Sequence, residues 1–266
     1  MRISTENMIL ILIFLSLVIV SVLHVFGAIE GPSVPSGLEV LNLPSLGIVF
    51  GGLMIATLIS YPASLVREAV RTIFSLFSQS GINNEQLKKD IKVIIEWMRM
   101  FRTNRSEALK RLQKIHKNNF EGYLISLMST NYSPEEIKEL AGKRIETRHQ
   151  GRSQISRVLQ SMGNTSPAFG MLGTLFGLIV ILDSFEDAAQ LGRGLSMALM
   201  TTLYGLMFAH FVFFPLALKV KVSADKQKFR ETMILEGVLM IRRDKPAMII
   251  RDQLSTYLDR EVIHAA

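Results

Sequence analysis

The 266-residue sequence contains no cysteine and only one tryptophan. The absence of cysteine excludes a disulfide framework and any thiolate metal site. The sequence also lacks the residue patterns of common enzyme sites, with no nucleophile–base arrangement, no phosphate-binding glycine pattern and no cluster of histidine or carboxylate ligands. An enzyme is therefore the least favoured class of function, and neither a resident metal nor a cofactor is expected.

Charged side chains are missing from the interiors of four long apolar stretches, although the chain carries a net charge of +7 and is 48% hydrophobic. These stretches are Met8–Phe26, Leu46–Val66, Thr165–Leu182 and Leu195–Leu218. Each approaches or exceeds the roughly 20 residues that a helix needs to cross the hydrocarbon layer. Since no strand alternation of any length is present, the sequence predicts an all-α integral membrane protein with four transmembrane helices.

The first apolar stretch follows a basic residue, as the core of a signal peptide does. It is longer than the roughly 7–15 residues of a signal-peptide core, and no convincing cleavage site follows Gly27. We interpret it as a retained transmembrane helix.

Basic residues are distributed unevenly among the connections between these spans. The Gly27–Ser45 connection contains no lysine or arginine, and the Asp183–Gly194 connection contains only Arg193. The long segment before the third span and the tail after the fourth span contain nearly all the others. Apolar blocks that alternate with basic ones are typical of an inner-membrane protein, and the positive-inside rule predicts that both termini and the long segment lie in the cytoplasm. Because topology explains the basic charge, a nucleic-acid partner is not expected.

Helical periodicity continues outside the spans, in Glu85–Met100, Ser106–His116 and Ser133–Met162. Ser133 and Pro134 suit the N-cap and first position of the last of these helices. A charged helix continues the fourth span and is expected to stop near Pro246. The expected domains are residues 1–66 with two spans and a short periplasmic loop, 67–164 as a cytoplasmic helical domain, 165–218 with two further spans, and 219–266 as a cytoplasmic C-terminal helix and tail.

Small residues recur at helical spacing in the third and fourth spans, so each span has one side with little bulk. These residues are Ser166, Gly170, Gly173, Thr174 and Gly177 in the third span, and Gly194, Ala198, Thr201, Thr202, Gly205 and Ala209 in the fourth. Close helix packing in lipid is a sufficient explanation on its own. A compatible hypothesis is that the hydroxyls of Thr174 and Thr202, together with accessible carbonyls, line a path for a cation or a proton-carrying water.

No acidic or basic residue lies well inside any predicted span. Because a proton or sodium relay normally requires an intramembrane carboxylate, an ion-conducting complex would take its titrating group from another chain. His24 and His210 fit interfacial or packing positions better than a relay. Pro167 and Pro215, near the cytoplasmic ends of the last two spans, can start or bend a helix, or serve as paired hinges.

Several motifs recur in the order of one known family. They are NLPSLGIVFGGLMIATLISYP, RIETRHQGRSQISRVLQSMGNTSPAFG, PAFGMLGTLFGLIVIL and, after a short acidic loop, MALMTTLYGLMFAHFVFFPLA. From about Asn42 to Leu258 the chain resembles the MotA/PomA stator subunits of the bacterial flagellar motor, within the wider MotA/TolQ/ExbB group.

The resemblance implies that five copies surround two single-span MotB/PomB-like subunits, which supply the essential aspartate and a peptidoglycan-anchoring domain. Passage of protons or sodium ions would rotate the ring and deliver torque to the flagellum. The resemblance gives Pro167 and Pro215 the role of coupling prolines and places Thr174 and Thr202 along the ion path. The small-residue sides add Thr201, Gly170, Gly177, Ala198 and Gly205 as candidate lining residues. A hydroxyl suits a sodium ion that loses water, without excluding protons.

One motif departs from the family pattern. Flagellar members carry a cytoplasmic helix resembling Arg…Leu-x-Leu-Glu that engages a FliG-like rotor protein, where this chain has RTNRSEALKRLQK. Arg102 and Arg105 supply basic charge, Lys110 occupies the expected acidic position, and Glu107 is the acidic substitute one turn earlier. A solvated basic face near anionic membrane lipid is the alternative interpretation. A non-flagellar, TolQ/ExbB-like force transducer and a non-conducting membrane scaffold therefore remain alternative functions.

Overall fold

A computed structural model describes Ser16 and residues 42–78, 82–116, 119–183 and 188–259. Every regular element in these ranges is helical, as the sequence predicts. The helices are α1 (Leu43–Ser60), α2 (Ala63–Ser78), α3 (Asn84–Thr103), α4 (Arg105–Ile115), α5 (Phe120–Met128), α6 (Pro134–Asp183), α7 (Ala188–Met207), a π-helix (Phe208–Phe213), α8 (Phe214–Arg242) and α9 (Ala247–Asp259). Apart from Ser16, the expected first span, Met8–Phe26, lies outside the described residues, and so does His24.

The start of α6 is the capping arrangement that the sequence predicts. The Glu136 backbone N–H donates to the Ser133 hydroxyl at 3.2 Å, and the Ser133 backbone N–H donates to the Glu136 carboxylate at 2.8 Å. Pro134 is the first helical residue, where its missing N–H costs no hydrogen bond. This reciprocal capping box gives the 50-residue helix a defined beginning.

The second expected span ends earlier than Leu46–Val66. Helix α1 stops at Ser60, and Tyr61 has an extended backbone with φ −131° and ψ 148°. Pro62 explains the break, because the proline ring disfavours the α conformation of the residue before it. The 18 residues of α1 still measure about 27 Å, close to the thickness of the hydrocarbon layer.

Among the described residues, three helical stretches are long and apolar enough to cross a membrane. They are Leu43–Ser60, Pro134–Leu182 and Leu191–Arg242. The second and third stretches contain the third and fourth apolar segments predicted from the sequence, and the first contains the predicted second segment as far as Ser60.

The described chain divides into two compact units. Unit 1 takes residues up to Ser78 together with Gln154–Val220, and unit 2 takes Gln79–Ser153 together with residues from Lys221 onwards. Unit 1 therefore contains α1, α2, α7, the π-helix, the C-terminal part of α6 and the start of α8. Its core includes Leu53, Val158, Leu159 and Val220, all almost completely buried.

Unit 2 is a helical bundle with a large apolar core and a buried ionic cluster. Trp97, Leu124, Ile137 and Met233 are among the buried core residues. The segment between α4 and α6 contains α5, a helix that the sequence analysis does not anticipate.

The ionic cluster of unit 2 centres on Arg230 of α8. Its guanidinium contacts Asp90 of α3 through Nε at 2.6 Å and through Nη2 at 3.0 Å. Nη2 also contacts Glu121 of α5 at 2.9 Å. All three side chains are less than one-fifth exposed. The hydrogen bond with Asp90 raises the pKa of Arg230 above its ordinary value, against the opposing effect of burial.

We predict that Arg230→Ala destabilises the protein by about 3–5 kcal/mol, because it leaves two buried carboxylates without their counter-charge. Arg243→Ala is the matched control, since Arg243 pairs with Glu135 at 3.1 Å at an exposed position. We expect that control to cost less than about 1 kcal/mol. Thermal unfolding of the two purified variants in one detergent measures the difference. Equal melting temperatures would contradict the proposed importance of the cluster.

Candidate functional site

The small-residue sides of α6 and α7 pack directly against each other within one chain. A Cβ atom built on Gly170 would lie 3.0 Å from the Thr201 carbonyl oxygen and 3.2 Å from the Thr202 Cα atom. A Cβ atom on Gly205 would lie 3.1 Å from the Gly170 Cα atom. The two backbones therefore touch where these side chains are missing. We call this contact the small-residue seam, formed by Ser166, Gly170, Gly173, Gly177, Gly194, Ala198, Thr201 and Gly205.

The seam continues towards the C-terminal end of α6. A Cβ atom on Gly177 would lie 2.6 Å from the Gly194 carbonyl oxygen and 2.8 Å from the Ala198 Cβ atom. A Cβ atom on Gly173 would lie within 2.5 Å of three Thr201 side-chain atoms. No larger side chain fits at these positions without moving a backbone, so close packing by itself accounts for the glycines.

Two serine hydroxyls of α6 form hydrogen bonds across unit 1. Ser166 Oγ donates to the Gly205 carbonyl at 2.9 Å inside the seam. Ser156 Oγ donates to the Ala217 carbonyl of α8 at 2.7 Å. Both serines are buried, so each bond also satisfies a polar group in an apolar environment. The sequence analysis includes Ser166 only as a small residue and misses Ser156. In the sequence, the position of Ser166 one helical turn before Gly170 indicates that its hydroxyl lies on the small-residue side of α6.

The three candidate threonines occupy different positions relative to the seam. Thr201 is fully buried, and its hydroxyl lies 3.0 Å from the Met197 carbonyl and 3.1 Å from the Ala198 carbonyl. Thr174 and Thr202 are only partly buried. Thr201 therefore belongs to the packing, whereas the other two present their side chains at the edge of the seam.

Both edge threonines direct their hydroxyl hydrogens back to their own helices. Thr174 Oγ1 donates to the Met171 carbonyl at 2.6 Å, and Thr202 Oγ1 donates to the Ala198 carbonyl at 3.3 Å. A hydroxyl that donates internally keeps its oxygen lone pairs available. Such an oxygen can accept a hydrogen bond from water or contact a cation, so both positions have the chemistry expected of an ion path.

The exposed surface beside these threonines is apolar. On α6, Met171 and Leu175 are 66% and 56% exposed, and on α7, Leu199 and Leu203 are 64% and 45% exposed. In a membrane-spanning segment, lipid or other protein helices cover such side chains.

The two candidate coupling prolines interrupt the regular helical bonding of α6 and α8. Pro167 lies inside α6 and has no N–H to donate to the Gly163 carbonyl one turn earlier. Gly163 in turn packs closely against Phe214, whose ring carbon would lie 2.6 Å from a Cβ atom at that position. A substitution at Gly163 would therefore disturb both helices next to a proline.

Pro215 follows a π-helical segment that the sequence does not reveal. The backbone N–H of Phe214 donates to the Ala209 carbonyl, five residues earlier, instead of the α-helical four. In a straight α-helix, the Pro215 ring would clash with the Phe211 carbonyl, and the wider π-turn relieves that conflict. The fourth apolar segment, Leu195–Leu218, is therefore interrupted in its helical register, although the helical path continues.

His210 lies on the exposed side of the π-helix, away from the seam. Its ring packs edge-on against Phe214 with a centroid distance of 5.4 Å. Ala209, its neighbour in sequence, is completely buried. This geometry agrees with a packing or interfacial histidine.

The four rotor-contact candidates lie at the α3–α4 junction and on α4, in unit 2. Arg102 forms an exposed ion pair with Asp244 at 3.6 Å, and Arg105 Nη2 lies 3.5 Å from the Met128 carbonyl. Glu107 is in the first turn of α4, where its backbone N–H donates to the Asn104 side chain. The remaining candidate, Lys110, is exposed and forms no ion pair within the described part of the chain.

Comparison with known proteins agrees with this fold. The model of the MotA/TolQ/ExbB proton channel family matches residues 102–232. The uncharacterized protein YtxD of Bacillus subtilis is 29% identical over 242 residues, covering 91% of this chain and 88% of its own. Chemotaxis protein PomA of Vibrio alginolyticus is 27% identical over 219 residues, covering 82% and 85%. The solved structure of C. jejuni MotAB has a TM-score of 0.75 at 22% identity, covering 98% of this chain and 99% of that one.

The fold and the site define a class of protein: an all-helical membrane protein with a glycine-packed helix pair. The chain is similar to the MotA/TolQ/ExbB proton channel family, whose model matches residues 102–232. Members of this family are channel subunits, so the chain is not an enzyme.

We predict that Gly177→Ala lowers the unfolding free energy by roughly 1–3 kcal/mol, because the added methyl group overpacks the seam. Gly192→Ala is the matched control, since a Cβ atom there meets no atom within 4 Å. On an exposed part of α7, this control should stabilise the protein by about 0.5–1 kcal/mol. Circular dichroism melting in one detergent compares the two variants. A seam variant as stable as the control would show that the helices are not packed as tightly as described.

Proposed function

We propose that the chain is the ring-forming A subunit of an ion-driven stator that delivers torque for flagellar rotation. The observation that carries this proposal is the pair of partly buried threonines, Thr174 and Thr202, at the edge of the small-residue seam. They offer oxygen atoms to a cation in a segment that has no acidic or basic side chain. The match of residues 102–232 to a proton channel family supports the same function.

The chemistry of the spans requires a partner chain. The predicted spans of this protein contain no carboxylate, and a proton or sodium relay normally uses one. The partner in this proposal is a single-span MotB/PomB-like subunit that supplies an aspartate. Two solved structures of similar fold are MotAB complexes, which supports such a partner. Around it, five copies of this chain would place the exposed apolar faces of α6 and α7 against neighbouring subunits, the partner helix or lipid.

The proposed location is the bacterial inner membrane, with four spans and both termini in the cytoplasm. The asymmetry in basic residues supports this orientation. The domain limits predicted from the sequence, at residues 66, 164 and 218, mark the changes between apolar and charged segments in this topology.

The coupling of ion passage to movement is proposed to involve Pro167 and Pro215. Each lacks the N–H that would complete a helical turn, so the helix beside it can bend at lower cost. The contact between Gly163 and Phe214 connects the segments next to the two prolines. A change in the ion path would thus alter both helices together.

The proposed rotor contact is the exposed side of α4 with Arg105, Glu107 and Lys110, together with Arg102 at the end of α3, which would face a FliG-like protein. A second candidate function is supported by Lys110, a base at the position where the flagellar pattern has an acid. It is a non-flagellar stator of the same family, which would move an envelope protein.

We predict that Thr202→Val abolishes swimming while flagellar filaments and membrane insertion stay normal. Valine keeps the shape of threonine but removes the oxygen that would contact the ion. Thr232→Val is the matched control, because Thr232 is also partly buried and donates to the carbonyl four residues earlier, at 2.9 Å, but lies in unit 2. Both variants are expressed in an in-frame deletion strain, in sodium-containing and sodium-free media. Swimming speed is measured in these cells. Ion leak is measured with a partner subunit from which the segment that plugs the channel is deleted.

These outcomes separate the candidate functions. Loss of swimming and of leak in Thr202→Val, but not in Thr232→Val, supports the flagellar stator. Normal swimming of the deletion strain with no second stator present, combined with ion leak through the wild-type chain, supports the non-flagellar transducer instead. Absence of any leak in the wild type would leave only a non-conducting scaffold. A leak that requires sodium would identify the transported ion.

We also predict that Lys110→Glu reduces swimming speed without changing ion leak, because the charge reversal alters only the rotor-facing surface. Lys138→Glu is the control, since Lys138 is an exposed lysine of the same unit on α6. Tethered-cell rotation measures torque, and the same leak assay measures conduction. An unchanged torque in Lys110→Glu would exclude this side of α4 as the rotor contact.

A further inference from the structure

A recess between α5 and α6 in unit 2 has no role in ion conduction or in the proposed rotor contact. It has a volume of about 460 Å³ and is lined by Tyr123, Arg144, Thr147 and Arg148. That volume falls within the roughly 300–1,000 Å³ of small-ligand sites. No acidic side chain lines it, so the surface that it presents is aromatic and basic.

Both guanidinium groups of the recess are held in place by neighbouring groups. The Arg144 Cζ atom lies 4.0 Å from the centroid of the Tyr123 ring, a cation–π arrangement. Arg148 lies 5.9 Å from the Phe120 ring centroid, and its Nε atom is 3.4 Å from Glu231. Two arginines one helical turn apart are therefore oriented before any ligand arrives.

The local charge is not balanced within the described residues. Glu231 is only 1% exposed and is shared between Arg148 and Arg152, so one carboxylate faces two guanidinium groups. Arg144 forms no ion pair with any residue that the structure describes. Two of the three arginines thus share one carboxylate and Arg144 has none, which leaves positive charge at the recess.

The donors of the recess match one class of ligand. The Thr147 hydroxyl donates to the Lys143 carbonyl at 2.9 Å, so the free donors come from the guanidinium groups. Guanidinium forks suit the planar, bidentate recognition of phosphate and carboxylate oxygens. A phosphate group can contact both arginines at once because it has several oxygens on one centre.

We propose that this recess binds a phosphate-bearing anion through Arg144 and Arg148. The phosphate can come from an anionic phospholipid head group or from a soluble phosphate compound. The proposal does not depend on ion conduction or on a flagellar role, so its failure and theirs can be told apart.

The experiment has two arms, both with the full-length chain. In the first, isothermal titration calorimetry measures pyrophosphate binding to the protein in neutral detergent. In the second, the protein is placed in nanodiscs of phosphatidylcholine with or without phosphatidylglycerol, and native mass spectrometry measures retained lipid. We expect binding in at least one arm, and we expect it to weaken as salt increases.

The variants test whether the recess itself is the site. Arg144→Gln should weaken binding about ten-fold, the loss expected for one charged hydrogen-bonding group. Arg144→Lys should weaken it less, since it keeps the charge but loses the fork. Lys138→Gln removes one positive charge elsewhere on α6 and should leave binding unchanged. Arg144 is exposed, so unaltered melting of its variants serves as the folding check.

Each result has a definite meaning. Binding of pyrophosphate alone assigns a soluble phosphate compound, and retention of phosphatidylglycerol alone assigns a lipid head group. Equal weakening by Arg144→Gln and Lys138→Gln would overturn the proposal, because diffuse surface charge would then explain binding. No binding in either arm would also overturn it, and an acidic protein side chain would become the alternative occupant.

Discussion

The close approach of α6 and α7 is the constraint on which the rest of unit 1 depends. In lipid, helix association gains little from excluding water, so the contact relies on van der Waals packing and on hydrogen bonds between the helices. Glycine at 170, 177 and 205 allows the backbones to touch, and Ser166 adds a buried bond to the Gly205 carbonyl. This packing also determines where the hydroxyls lie. Thr201 is enclosed, whereas Thr174 and Thr202 are left at the edge, where another chain can reach them.

This arrangement divides the chemistry of the proposed channel between two chains. The spans of this chain provide oxygen atoms whose hydrogens are directed inward, so they suit a cation better than an anion. They provide no group that changes its charge with each ion that passes. A ring subunit of this composition can guide and partly solvate an ion, and the reversible binding of that ion falls to a partner carboxylate.

Unit 2 uses its charges in a different way. Asp90 and Glu121 are both paired with Arg230, and Glu231 pairs through Oε1 with Arg148 and Arg152, so each of these carboxylates has an arginine partner inside the bundle. The basic side chains that lack such partners, Lys110 and Arg144 among them, remain on the surface. The net charge of +7 therefore has a consequence beyond membrane topology, because it leaves the basic surfaces on which the proposed rotor contact and the proposed phosphate site depend.

The sequence by itself determined the all-helical class, the second to fourth apolar segments, the capping box at Ser133 and the set of small residues on each of two helices. These are local properties, since helical spacing decides which side chains share a side. Only the tertiary structure decided that the two small-residue sides meet each other and that Thr201 is enclosed by that contact. It also decided that a π-helix precedes Pro215, and it revealed α2 and α5. These features depend on packing between residues distant in sequence, which periodicity along a single helix does not contain.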